Sequence, residues 1–236
     1  MFGIPVLCFP FAGAGASAFR RAQEYGSDTV RICPLQLPGR EERFGEPAFT
    51  DAVAAVDDLL PAALDLVAGS PVVALFGHSL GAVLAYEMAH RLRQLPRPEL
   101  ARVFVSGSPG PWTRREIRAT GMSDEDFLRQ VRGFAGYTHP ALEHPELREM
   151  LLPTLRADVE MHENYLASNR LLDVPITSIR GAEDELVSAE QAAEWNAATT
   201  AGCQLREVPG NHMYLVDSPA ELVRLMDSEL ASEAQR

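Results

Sequence analysis

The stretch Pro71-Val-Val-Ala-Leu-Phe-Gly-His-Ser-Leu-Gly-Ala-Val-Leu-Ala-Tyr-Glu-Met-Ala89 constrains the fold more than any other. Its first six residues are apolar and short enough for one buried strand. Its last eight are strong helix formers. Between them Ser79 stands at the tightest point, flanked two residues away by Gly77 and Gly81. This is the G-x-S-x-G pattern in the context it needs, strand, sharp turn, helix. Bulky residues at 77 and 81 would collide with the crossing strand and helix. A serine held proud of a sheet, with the free N–H groups of a helix behind it, is placed for nucleophilic attack with the new negative charge stabilised.

The rest of the chain repeats this alternation. Apolar runs of strand length occur at Pro5–Phe11, Val30–Leu37, Val72–Phe76, Arg102–Ser106, Pro175–Ile179 and Gln204–Val208, and helical patterns separate most of them. Val53, Val56, Leu60, Leu64 and Val67 carry the spacing of an amphipathic helix that stops at Gly69. Ser218-Pro219-Ala-Glu221 reads as a capping box opening a last helix. This order predicts an α/β protein, a mostly parallel central sheet with helices on both faces, in one domain over 1–236. One segment, from about Trp112 to Arg170, contains no convincing strand. Ser123-Asp-Glu-Asp126 opens one helix there and Pro145 another, which Pro153 is expected to kink or split. Such a segment predicts a helical insertion over the carboxyl edge of the sheet, where α/β proteins bind ligands.

Charge narrows the function. The chain has 21 basic residues, all arginine, against 33 acidic ones, for a net charge of −12. That argues against a nucleic-acid partner. No apolar run approaches the roughly 20 residues of a membrane span. The N-terminal apolar run has no basic residue before it and is bracketed by Pro5 and Pro10, which argues against a secretory leader. Cys8, Cys33 and Cys203 are widely spaced and odd in number, as reduced thiols of a cytoplasmic protein would be.

A serine hydroxyl needs a base. Of six histidines, His78 lies inside the turn, His90 is expected on the surface of the following helix, and His139, His144 and His162 fall in the insertion. His212 follows the last strand, in a loop from which it could reach Ser79. The acid that would orient it is sought after the penultimate strand, where Glu183, Asp184 and Glu185 compete. Asp184 has the usual offset from the turn glycine, Gly181. The resulting order, serine, acid, histidine, is that of the α/β-hydrolases. The oxyanion donors are expected to be the backbone N–H groups of Leu80 and Ala12, the latter from the small-residue loop after the first strand. Gly13-Ala-Gly-Ala-Ser-Ala18 also imitates a dinucleotide fingerprint. The acidic residue that should end the second strand is absent from Cys33-Pro-Leu-Gln-Leu37, so no nucleotide site is expected.

Taken together, Phe9-Pro-Phe-Ala-Gly-Ala-Gly15, Leu37-Pro-Gly-Arg-Glu-Glu-Arg43, Gly77-His-Ser-Leu-Gly81, Leu152-Pro-Thr-Leu-Arg-Ala-Asp158 and Gly210-Asn-His212 resemble the type II thioesterases. These are α/β-hydrolases that work beside polyketide synthases and nonribosomal peptide synthetases. The likeness runs from about Val6 to Leu225. It implies Ser79 as nucleophile, Asp184 as acid, His212 as base, and Ala12 and Leu80 as oxyanion donors. It also implies a mobile lid over about 112–165 and the removal of aberrant or stalled acyl groups from the phosphopantetheine arm of an acyl or peptidyl carrier protein. No metal or further cofactor is implied, and a monomer is expected; a general carboxylesterase or lipase with the same triad, or a product-releasing thioesterase, would share these motifs. Two positions depart from the family pattern. Ala14 replaces a glycine in the first loop, and Met213 follows the histidine where phenylalanine is common. Carrier proteins of such systems are acidic, like this chain, so docking is expected to use local arginines or apolar contacts, with Arg114, Arg115 and Arg118 beside Trp112 as candidates.

Overall fold

The computed structural model describes residues 3–114, 118–135 and 140–233. Arg115 and His139 lie outside them. Six strands form one sheet: β1 (Ile4–Phe9), β2 (Val30–Pro34), β3 (Val72–His78), β4 (Glu99–Ser106), β5 (Ile176–Gly181) and β6 (Cys203–Val208). Their order is β2-β1-β3-β4-β5-β6 and every pairing between them is parallel. This is the α/β-hydrolase architecture that the order of the motifs predicts.

Strand residues are apolar in succession because both faces are covered. Leu7, Phe9, Val73, Leu75, Val103 and Val105 face one core cluster, while Val6, Cys8, Ala74, Phe76 and Phe104 face the other. Alternate side chains point to opposite faces, so a strand buried on both sides reads as an unbroken apolar run.

The helices are α1 (Arg20–Gln23), α2 (Ala52–Leu66), α3 (Leu80–Leu92), α4 (Asp124–Ala135), α5 (Pro145–Asn164), α6 (Ala189–Ala193), α7 (Tyr214–Asp217) and α8 (Pro219–Glu233). The Asp51 side chain caps α2, accepting from the Ala54 N–H at 2.8 Å. α2 and α3 belong to the first core face, and α8 supplies Leu222, Val223, Met226 and Leu230 to the second. Helix α3 is buried almost all round, His90 included, which stacks edge-on against Tyr86 with ring centroids 4.7 Å apart. His90 is therefore not a surface residue. Burial lowers its pKa, as charging it there would remove water from an imidazolium.

The strandless region is a helical insertion between β4 and β5, built from α4, a 3-10 turn at Pro140–Glu143 and α5. Ser123 caps α4 by accepting from the Asp126 N–H at 3.2 Å. Helix α5 is continuous through Pro153, so the expected split does not occur. Packing holds it: the neighbouring residues Leu152, Thr154, Leu155 and Asp158 are all buried. The insertion has its own small core of Ala119, Phe127, Leu128, Leu142, Leu152 and Leu155, against which Ala12 packs.

The chain leaves β1 toward β2 on one side, and β3 lies on the other side of β1. The sheet therefore reverses its winding between β1 and β3, the point where open α/β sheets bind ligands. The loops after these two strands carry Ala12 and Ser79.

Candidate active site

Ser79 has φ 53° and ψ −114°, a positive φ that non-glycine residues rarely adopt. Crowding enforces it. A Cβ on Gly77 would lie 1.8 Å from the Gly81 carbonyl oxygen, and one on Gly81 would lie 2.1 Å from that of Phe9. The Ser79 N–H donates to the Ser106 carbonyl at 2.8 Å, tying the turn to β4. Leu80 is the first residue of α3, so its N–H is among those with no partner inside the helix.

Asp184 sits in the loop after β5. Its Oδ1 accepts from the N–H groups of Leu186 at 2.8 Å and Val187 at 3.0 Å, and its Oδ2 lies 2.8 Å from Nδ1 of His212. The two side chains are 0% and 6% exposed, respectively. Burial pushes the Asp184 carboxyl up. The hydrogen bond from His212, the attraction of that ring and the two backbone donors outweigh it, so the net shift is downward and the group is a carboxylate. A carboxylate only accepts, so His212 donates from Nδ1, and the neutral ring carries its lone pair on Nε2. Glu183 and Glu185 are exposed, which leaves Asp184 alone of the three competing acids in contact with the histidine. Backbone bonds from Ala182 N–H to the Val208 carbonyl (2.8 Å) and from Glu183 N–H to that of Gly210 (2.9 Å) seam the acid loop to the histidine loop.

Ser79, His212 and Ala12 line one cavity of about 80 Å³. It adjoins a larger, mostly apolar chamber of about 440 Å³ that shares Phe11, Ala12, Val131, Leu155 and Met213 with it. His162 and Glu163 of α5 also reach the smaller cavity, a placement that nothing in the spacing of the insertion announces. His78 packs inside the turn, as its position predicts. Its ring lies 4.8 Å from that of His212, and its Nδ1 is 2.9 Å from Ser106 Oγ, which is 2.7 Å from the Tyr214 hydroxyl. Burial first, then the neighbouring His212, hold its pKa well below the usual imidazole value.

Arg40, which lines the larger chamber, belongs to a pair that residue-by-residue reading missed. Arg40 and Asp158 form a buried, two-pronged ion pair, with Arg40 Nη2 to Asp158 Oδ1 at 2.8 Å and Nη1 to Oδ2. The motif segments Leu37–Arg43 and Leu152–Asp158 contain them, and only the fold shows that the two segments touch. The candidate docking cluster is altered too. Arg114 is exposed, but Arg118 is paired with Asn164 and lies 3.6 Å from the Glu163 carboxylate, so it is engaged at the end of α5.

Among the described residues no helix is long and apolar enough to cross a membrane. The family model of the thioesterase domain matches residues 4–230. The gramicidin S biosynthesis protein GrsT of Aneurinibacillus migulanus is 30% identical over 229 residues, covering 95% of this chain and 88% of that protein. The solved structure of the RedJ thioesterase from the prodiginine pathway of Streptomyces coelicolor matches with a TM-score of 0.83 at 33% identity, covering 96% of this chain and 85% of that one. The type II thioesterase BorB from the borrelidin biosynthetic cluster matches with a TM-score of 0.83 at 28% identity, covering 97% and 93%.

Proposed function

The chain belongs to the thioesterase family and is a thioester hydrolase, and from that premise we propose that Ser79 is its nucleophile, His212 its general base and Asp184 the group that orients the base. The observation that carries this reading is the His212 ring, held through Nδ1 by a buried carboxylate while lining the same cavity as Ser79 and Ala12.

In the reaction, Nε2 of His212 takes the Ser79 proton as Oγ attacks the thioester carbonyl carbon. The oxyanion that forms is held by the N–H groups of Ala12 and Leu80. Collapse breaks the carbon–sulfur bond, and His212 returns the proton to the departing thiolate. A water, deprotonated by His212, then attacks the acyl-Ser79 ester; the carbon–Oγ bond breaks, His212 returns the proton to Ser79 Oγ, and a free acid leaves. Asp184 holds the ring in the correct tautomer and stabilises its charged form in both halves.

The acyl group arrives on the phosphopantetheine arm of an acyl or peptidyl carrier protein, and the enzyme clears aberrant or stalled groups from polyketide and nonribosomal peptide assembly. The likeness to GrsT, RedJ and BorB supports this role. So does the chamber beside Ser79, whose apolar lining can take up acyl chains without reading polar groups on them. The α4–α5 insertion is the lid of that chamber. The reaction uses side chains of one protomer and no metal or further cofactor, so a monomer suffices. Buried Cys8 and Cys33 thiols suit the cytoplasm.

Ser79→Ala should lower hydrolysis of a small acyl thioester at least about a thousandfold with the fold intact by circular dichroism. Undiminished turnover would remove Ser79 from the mechanism. Parent activity against one acyl group offered both as thioester and as oxygen ester separates a thioesterase from a general carboxylesterase, which would favour neither.

A further inference from the structure

The loop after β1 makes a tight turn. The Ala14 N–H donates to the Phe11 carbonyl at 3.0 Å, and Gly13 at the third position has φ +76°, as a type II turn requires. The peptide between Phe11 and Ala12 is trans and planar. Because its carbonyl points into the turn, its N–H points out of it. The direction of the Ala12 N–H thus depends on how the whole turn is seated.

Two residues seat it, and neither is part of the triad. Asp158 Oδ2 accepts from the Gly13 N–H at 2.7 Å, and Arg40 Nη1 donates to the Ala14 carbonyl at 3.2 Å. The guanidinium and the carboxylate are themselves locked together, 6% and 0% exposed. Arg40 is further fixed by donating from Nε to the Pro38 carbonyl at 3.1 Å, and Thr154 Oγ1 donates to the Gly39 carbonyl at 2.9 Å. Leu155 presses on the same turn, its Cδ1 only 2.9 Å from where a Cβ on Gly13 would stand. One buried ion pair therefore joins three distant segments: the turn after β1, the loop after β2 and helix α5.

We propose that Arg40 and Asp158 are positioning residues of the oxyanion site, which hold the Phe11–Ala14 turn against α5 so that the Ala12 N–H faces the carbonyl oxygen attacked by Ser79. The inference rests on the reading of Ala12 as an oxyanion donor. It makes the seating of the insertion a condition for chemistry as well as for enclosing the acyl chain. α5 is seated here, and Asp158 on it anchors the turn.

A double-mutant cycle tests this. Proline is favoured at the second position of a type II turn, so Ala12→Pro deletes the N–H and keeps the turn. Asp158→Asn keeps the size but sets an amide N–H₂ against either the guanidinium or the Gly13 N–H, each of which is itself a donor. With a small acyl thioester, Ala12→Pro should lower kcat about a hundredfold. Asp158→Asn should lower kcat roughly ten- to thirtyfold with KM within about threefold, because an aimed donor acts on the transition state. Combined with Ala12→Pro, Asp158→Asn should cost less than about threefold more, because the donor it aims is already gone. An unchanged kcat for Asp158→Asn, a loss confined to KM, or an equal loss in both backgrounds would overturn the proposal. If Ala12→Pro alone leaves kcat intact, the oxyanion reading falls and the positioning inference with it. If Ala12→Pro lowers kcat and Asp158→Asn does not, only the inference falls. Should Asp158→Asn fail to fold, Arg40→Met with Asp158→Leu replaces the pair by apolar groups, a change that folds tolerate, and the same kcat criteria apply to it.

Discussion

Two buried carboxylates stand behind residues that line the adjoining cavities. Asp184 and Asp158 both have side chains 0% exposed, and both accept from backbone N–H groups as well as from a cationic or ionisable partner. The partners differ. Arg40 carries a permanent charge, so its pair with Asp158 is neutralised once and for all and can only hold geometry. In the mechanism we propose, His212 gains a proton during each half of the reaction, so Asp184 there serves as a counter-charge that comes and goes. The same chemical group, equally buried, is a fixed rivet beside arginine and a transient counter-charge beside histidine.

That contrast is easiest to break with isosteric amides. Asp184→Asn should lower kcat about ten-thousandfold, since the amide can neither hold the Nδ1–H tautomer nor stabilise the imidazolium. Loops seamed by backbone bonds should keep the fold, so a thermal midpoint within a few degrees of the parent is expected. If the loss were no greater than that of Asp158→Asn, the two carboxylates would be equivalent and the distinction would collapse. A smaller effect sharpens it. Arg40→Lys keeps the charge but not the fork, and one ammonium cannot serve both carboxylate oxygens and the Ala14 carbonyl together. It should lower kcat about three- to tenfold with little change in KM, measured on the same thioester. Full activity would show that charge alone, without geometry, anchors the turn.

The two carboxylates were also unequally legible. The strand–turn–helix around Ser79, the six strands and the candidate pair of Asp184 and His212 could all be read along the chain. Local physics writes them locally: glycines where the backbone crowds, apolar runs where a strand is buried on both faces, a loop acid and a loop histidine each following a strand. Arg40 and Asp158 could not be paired from spacing, because nothing local records that residues 118 positions apart share a bond. Their segments stood out only through likeness to a family. The insertion misled in the same way. Pro153 reads locally as kinking or splitting its helix, and the split does not occur where Leu152, Thr154 and Leu155 are buried. His90 reads as a helix-surface residue until the neighbours of α3 are known.

A third buried group extends the comparison to a case with no counter-charge. His78 is 0% exposed and bonds through Nδ1 to a neutral hydroxyl, Ser106 Oγ, with the Tyr214 hydroxyl behind it and the His212 ring beside it. Asp184 raises its pKa, but by less than burial and His212 lower it. The folded protein thus keeps His78 neutral well below the usual value of 6.5, while the unfolded chain protonates it there. The sign follows. Below about pH 6.5 the unfolded state binds the extra proton, so stability present above that pH is lost as the pH falls, by about 1.4 kcal/mol per pH unit for one such group. Buried His90 adds to the same trend, so the difference between parent and His78→Gln isolates the one group. Between pH 6.5 and 5 the parent's thermal midpoint should fall more steeply than the variant's by roughly 3–5 °C per pH unit. Parallel slopes would mean that His78 takes up a proton inside the fold. A cation would then lie 4.8 Å from the His212 ring in acid, only partly offset by Asp184.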